Sequence, residues 1–228
     1  MKTTVRALAP LSIRLLLPCL LCLAAEAVTA DDAVPLRDEN VSPAALDALR
    51  AGEAIVLMRH ALAPGTGDPP EFVRGDCATQ RNLSAAGREQ ARRAGGRLAA
   101  LLDGRAAEVR SSAWCRCLET ARLLGLGAVE PLAALDSFFR ERDAAAERTA
   151  ALGRWIDGRL GGGGARPVAV LVTHQVNISA LTGAYAASGD MLIVGTGAGA
   201  GDEDGDGADD GAAGPFVVLA RIGTDVTD

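Results

Sequence analysis

Two short stretches decide the fold: Ala54-Ile55-Val56-Leu57-Met58-Arg59-His60 and Val168-Ala169-Val170-Leu171-Val172-Thr173-His174. Each contains a continuous apolar run bounded by polar residues. Such runs predict strands buried on both faces, as in a parallel sheet covered by helices. Both stretches end in histidine, and the chain has two histidines in all. In open α/β sheets ligands bind beyond the carboxyl ends of the strands, so His60 and His174 are expected at one rim.

Around these strands the pattern alternates. Ser42-Pro43 opens a short helix that runs to Arg50 and stops before Gly52, with Ser as cap and Pro at the first position. Residues 61–82 form a Gly/Pro-rich loop, and a loop of that length in a compact domain is usually functional or disordered. Ser84 caps a helix from Ala85 to about Leu102, on which Ala91, Leu98 and Leu102 share a face. A short strand is expected to end at Val109, and helices are expected over 113–124, 143–160 and 178–186. Two closing strands are expected over 191–194 and 216–221. Strands alternating with helices predict an α/β sandwich.

The 228 residues suffice for one such domain, with 49% hydrophobic and 23% charged residues but only 3% aromatic, so the core must be aliphatic. A net charge of −6 argues against the broad cationic surface that tracks a nucleic-acid backbone, so no nucleic-acid partner is expected. Residues 1–30 read as a signal peptide. Lys2, Arg6 and Arg14 precede the apolar run Leu15–Ala25, and Val28-Thr29-Ala30 offers a small-residue cleavage site. That run contains Pro18 and falls well short of the roughly 20 residues that span a bilayer. The expectation is a periplasmic or secreted domain over 31–228, with no stable membrane insertion after cleavage.

Cleavage would remove Lys2, the sole lysine, so any cationic clamp must be arginine and imidazole. Of the cysteines left, Cys115 and Cys117 lie too close in sequence to bridge easily, and an oxidising compartment would pair Cys77 with one of them. Residues 195–214 form a Gly/Asp-rich insertion. Asp202, Asp204, Asp206 and Gly207 copy the start of a calcium loop, but Ala213 stands where its closing Glu belongs, so a solvated insertion is the favoured reading.

Four blocks carry a family resemblance. Met58-Arg59-His60-Ala61 resembles the Arg-His-Gly signature of the histidine phosphatase superfamily, branch 1, which has the phosphoglycerate-mutase-like fold. Leu83 to Ala91 resembles that family's Leu-Thr/Ser-x-x-Gly-x-x-Gln-Ala helix start, and Ser111 to Ala121 its Ser-Ser-x-x-x-Arg-Ala-x-x-Thr-Ala segment, with Cys117 in place of Ala. Thr173-His174 supplies the second histidine. The blocks follow family order over roughly Ala54 to Ile222. The resemblance implies a three-layer α/β/α sandwich with a mostly parallel central sheet.

It also implies a phosphomonoesterase without metal or cofactor, in which His60 attacks phosphorus to form a phosphohistidine that water hydrolyses. Arg59 and Arg116 would hold the phosphate oxygens, with His174 as a further donor. Asn82, with Gln80 and Arg81, lies where it would line the pocket, although turn formation explains Asn82 equally well. Asp136 is the expected proton donor, with Glu141 second. Gln90, Glu119 and Thr120 read as packing and anchoring residues, and Trp114, Phe138 and Phe139 as candidate borders of the pocket. The mutase-like branch fits better than the acid-phosphatase branch, because Gln175 follows His174 where that branch has Asp. Among exported members the chain is similar to a group that includes lipopolysaccharide-core phosphatases. A small phosphorylated substrate is therefore expected, with an envelope glycolipid phosphate among the options. The rival is a noncatalytic phosphate-ligand binding protein that keeps the arginine and histidine pocket.

Overall fold

The computed structural model describes residues 41–161, 166–197 and 216–224, all within the unit Asp38–Asp228. The signal-peptide segment, and the calcium-like stretch with most of the 195–214 insertion, lie outside the described residues. The two deciding stretches become β1 (Ala54–Arg59) and β4 (Val168–Thr173). They lie side by side and parallel, with Arg59 opposite Thr173. With β2 (Ala107–Ser111), β3 (Val129–Pro131), β5 (Met191–Thr196) and β6 (Phe216–Ile222) they form a six-stranded sheet of order β3-β2-β4-β1-β5-β6. Only β5 runs against the rest, so the sheet is mostly parallel.

Two-residue periodicity divides the core between the sheet's faces. Val56 and Met58 of β1, with Val170 and Val172 of β4, pack beneath α1 (Pro43–Ala51), α2 (Ala85–Leu102) and α3 (Cys115–Leu123). Ile55, Leu57, Ala169 and Leu171 face the opposite way, beneath α4 (Ala145–Leu160) and α5 (Gln175–Thr182). The result is the three-layer α/β/α sandwich. Ser42 and Ser84 cap α1 and α2 as expected, accepting from the amides of Ala45 and Gly87. Two glycines of α2 permit close packing: a Cβ on Gly87 would lie 2.0 Å from the Leu62 carbonyl oxygen, and one on Gly95 would lie 2.1 Å from that of Leu124.

Three expectations shift. The strand expected to end at Val109 continues to Ser111, because β4 pairs with it along its whole length. The helix after His174 covers Gln175–Thr182 and not 178–186; Gly183 adopts the left-handed conformation that ends it. The three-residue β3 has no signal in the pattern, and its Pro131 is tolerated because β3 is an edge strand. Among the described residues no helix is long and apolar enough to cross a membrane.

Candidate active site

The parallel register of β1 and β4 delivers His60 and His174 to neighbouring points on one rim, with ring centroids 5.5 Å apart. They line a cavity of about 380 Å3 together with Arg59, Arg81, Arg116 and Asp68 on its inner wall. Phe72, Trp114, Phe139, Arg140 and Glu141 contribute to the rest of the lining.

The two rings have different surroundings. His60 Nδ1 lies 2.8 Å from the carbonyl of the next residue, Ala61. A carbonyl only accepts, so Nδ1 carries the proton and Nε2 keeps its lone pair. Burial, then the charge of Arg116, pushes the His60 pKa down to about 3 against the opposing pull of the Ala61 carbonyl, with Arg81 and Arg59 adding to the depression. His174 has both nitrogens engaged. Arg116 Nη2 donates to Nδ1 at 3.3 Å, which leaves Nε2–H to donate to Ser112 Oγ at 2.9 Å. Burial first, then Arg116 and His60, holds the His174 pKa well below its ordinary value. Both imidazoles are therefore neutral at mild pH.

Three guanidinium groups surround these rings. Arg59 extends from the end of β1, where Nη1 donates to the Ala186 carbonyl at 2.9 Å. Arg81 ends the 61–82 loop and donates through Nε to the Gly67 carbonyl at 2.7 Å and through Nη1 to Ala63. Arg116, in the first turn of α3, pairs with Asp68 at 2.7 Å. The Nε atoms of Arg59 and Arg116 are buried without a partner. Among the described residues no ion pair neutralises Arg59 or Arg81, so the cavity carries net positive charge.

The loop and α3 are held together at several points. A disulfide joins Cys77 to Cys115, the residue before Arg116, which resolves the pairing left open by the sequence; Cys117 stays a free, buried thiol. Burial pushes the Cys117 pKa up to about 12, so it remains protonated beside His174. Gln80 accepts from the Cys115 amide at 3.0 Å. Thr120 accepts from the Ala61 amide, while Gln90 ties Leu62 to the carbonyls of Ser188 and Thr224. Glu119 pairs with Arg88. Gln90, Glu119 and Thr120 thus serve packing and anchoring roles, whereas Gln80, expected to line the pocket, is buried beside it and ties the loop to α3.

Several expected site residues lie elsewhere. Asn82 does not line the cavity; its side-chain amide donates to the carbonyls of Cys77 and Gln80 and closes the turn that bears Arg81. Asp136 is buried behind the wall, where Oδ1 accepts from Ser112 Oγ and the Ala113 amide and Oδ2 from Arg74. Its oxygens are committed to holding the β2–α3 junction, and it does not line the cavity. Glu141 does, with Oε2 held by Arg148. Phe138 is buried away from the cavity, while Trp114 and Phe139 border it. The residue that sequence reasoning missed is Asp68. It is one of three acids in the Gly/Pro-rich loop, with Glu71 and Asp76, and nothing local singles it out, because its partner Arg116 lies 48 residues away.

An α/β sheet that presents two neutral imidazoles and three arginines at its rim has the chemistry to hold an oxyanion. Residues 55–150 match the family model described as histidine phosphatase superfamily (branch 1). Similar solved structures include an open-reading-frame product of Mycobacterium tuberculosis, at 17% identity over 64% of this chain and 93% of that one, with a TM-score of 0.48. Mycobacterial glucosyl-3-phosphoglycerate phosphatase is similar at 16% identity over 64% and 91% of the two chains, with a TM-score of 0.46. The protein histidine phosphatase SixA complexed with tungstate is similar at 16% identity over 63% and 88%, with a TM-score of 0.41. No curated protein matches the chain.

Proposed function

We propose that the protein is a phosphomonoesterase that works through a phosphohistidine on His60. The observation that carries this reading is the His60 tautomer: Nδ1–H is held by the Ala61 carbonyl, and Nε2 is left as a neutral nucleophile beside Arg59, Arg81 and Arg116. In the first step the Nε2 lone pair attacks phosphorus and the bond to the leaving oxygen breaks. That oxygen takes a proton from a cavity acid. In the second step water attacks the phosphorus, the same group receives a proton from it, and the P–N electron pair returns to Nε2. The guanidinium groups stabilise the charge on the nonbridging oxygens, which is the main requirement of phosphoryl transfer. In this arrangement His174 holds Arg116 in place and has no N–H to spare for the ligand.

We assign the proton transfer to Glu141 and not to Asp136, because Glu141 lines the cavity and Asp136 is committed behind it. Glu141→Gln is expected to slow a poor-leaving-group ester by about 10²- to 10⁴-fold while sparing p-nitrophenyl phosphate, whose leaving group needs no acid. The broader test is a panel of phosphate esters with His60→Ala as control. Turnover lost in the variant supports the enzyme; binding without turnover by the unaltered protein would favour the ligand-binding rival. The substrate is a small phosphorylated molecule, and an envelope glycolipid phosphate belongs in the panel because the N-terminal segment reads as an export signal. A disulfide on the loop beside the site also suits an oxidising compartment. Cell fractionation, with mass spectrometry of a mature N-terminus near Asp31, tests export.

A further inference from the structure

We propose that Asp68 is a resident counter-anion of the cavity: its carboxylate fixes Arg116 in the binding pose and offsets enough positive charge for inorganic phosphate to leave after each turnover. The inference deepens the phosphatase reading and rests on it.

Asp68 belongs to the 61–82 loop, yet its side chain is only 6% exposed. Every acceptor contact it makes goes to a wall of the cavity. Oδ1 accepts from Arg116 Nη1 at 2.7 Å and from the Arg81 amide at 3.1 Å; Oδ2 accepts from Trp114 Nε1 at 3.1 Å. Burial works against its charge, but Arg116 and these hydrogen bonds outweigh that and hold its pKa below the ordinary carboxylate value. Asp68 is therefore ionised, and it is not an acid in the reaction.

A guanidinium has five N–H donors in a fixed plane. Arg116 gives one to Asp68 and one to His174, and three remain, including the unpartnered Nε–H. Two anchors on different nitrogens fix the plane, so the remaining donors are oriented before a ligand arrives. The charge count is equally direct. Arg59, Arg81 and Arg116 with Asp68 leave two positive charges around the two neutral histidines. Two positive charges match a phosphate dianion. The crowding of the cations is visible at Arg81, whose pKa is lowered by burial and then by Arg116.

The test is Asp68→Asn, which keeps the shape and one acceptor oxygen but removes the charge. Calorimetric titration with inorganic phosphate is expected to show binding tighter by on the order of tenfold. In steady-state assays kcat is expected to fall and KM to fall with it, since product release becomes slower. Asp68→Glu, which restores the charge, is expected to return phosphate affinity toward the original value. A merely structural Asp68 would lower kcat without tightening phosphate, so unchanged or weaker phosphate binding in a folded Asp68→Asn protein overturns the proposal. Should that variant fail to fold, Asp68→Ser removes the same charge and is read the same way. Because phosphate binding needs no turnover, the two readings fail separately. Tighter phosphate without any esterase activity in the unaltered protein sinks the phosphatase reading; turnover with unaltered phosphate affinity in the variant sinks this one.

Discussion

His60 and His174 end adjacent parallel strands in matching register, yet their surroundings assign them different work. His60 is held on one side only, by a backbone carbonyl that no side-chain substitution removes, and its other nitrogen is left for chemistry. His174 is held on both sides, between Arg116 and Ser112, with Asp136 behind the serine. Identical residues at equivalent strand ends thus become an attacking group and a supporting one. The neighbours of the ring, and not the ring, decide which.

The sharpest way to break this comparison is to truncate each histidine. His60→Ala is expected to reduce turnover by about 10⁴-fold or more, as removal of a nucleophile does, and to abolish the acid-labile phosphoryl group that mass spectrometry should find on the unaltered protein. His174→Gln is expected to cost about 10²- to 10³-fold, the scale of one misplaced electrostatic donor, while the phosphoryl group remains detectable. Equal losses, or a phosphoryl group on His174, would reverse the assignment.

Support for His174 continues through α3, whose first residue is tied to the loop by the Cys77–Cys115 disulfide across a separation of 38 residues. In the chain-entropy account a closed loop of that length stabilises a fold by about 3–4 kcal/mol, so Cys77→Ser/Cys115→Ser should lower stability by up to that amount in denaturant titration. If activity also falls in the folded double variant, the bridge positions Arg116 as well as stabilising the domain.

A further expected effect is one of pH. His60 titrates near 3 in the folded protein and His174 well below 6.5, whereas both titrate near 6.5 when unfolded. Between about pH 3 and 6.5 the unfolded chain therefore binds more protons, so stability falls as pH drops through that window and is fully present above it. Melting temperature against pH checks this, and His60→Gln should flatten part of the slope. An unchanged slope would mean that His60 is not buried as a neutral ring.

Much of the fold and part of the site are legible in the amino-acid sequence. The buried strands follow from unbroken apolar runs, the caps of α1 and α2 from Ser42 and Ser84, and the cationic character of the pocket from a chain whose lone lysine lies in the N-terminal segment. The short β3 is not legible, because three residues carry no periodicity and the strand exists only by pairing with β2. Asn82 and Asp136 read as site residues from their places near the motifs. Both are polar groups spent on the backbone and helix junctions that hold the site, a distinction that needs coordinates because a hydrogen bond has a direction and a sequence position does not.

The sequence by itself determined that two histidines and an arginine end or follow buried strands, since hydrophobic patterning is a local property. Only the tertiary structure decided which imidazole is open at one nitrogen, which carboxylate sits among the arginines, and which cysteines join. Those outcomes depend on contacts such as Arg116 with Asp68 and Arg116 with His174, which lie 48 and 58 residues apart in the chain. No local pattern records such pairs; they exist once the sheet has set β4 beside β1 and α3 has closed over the loop.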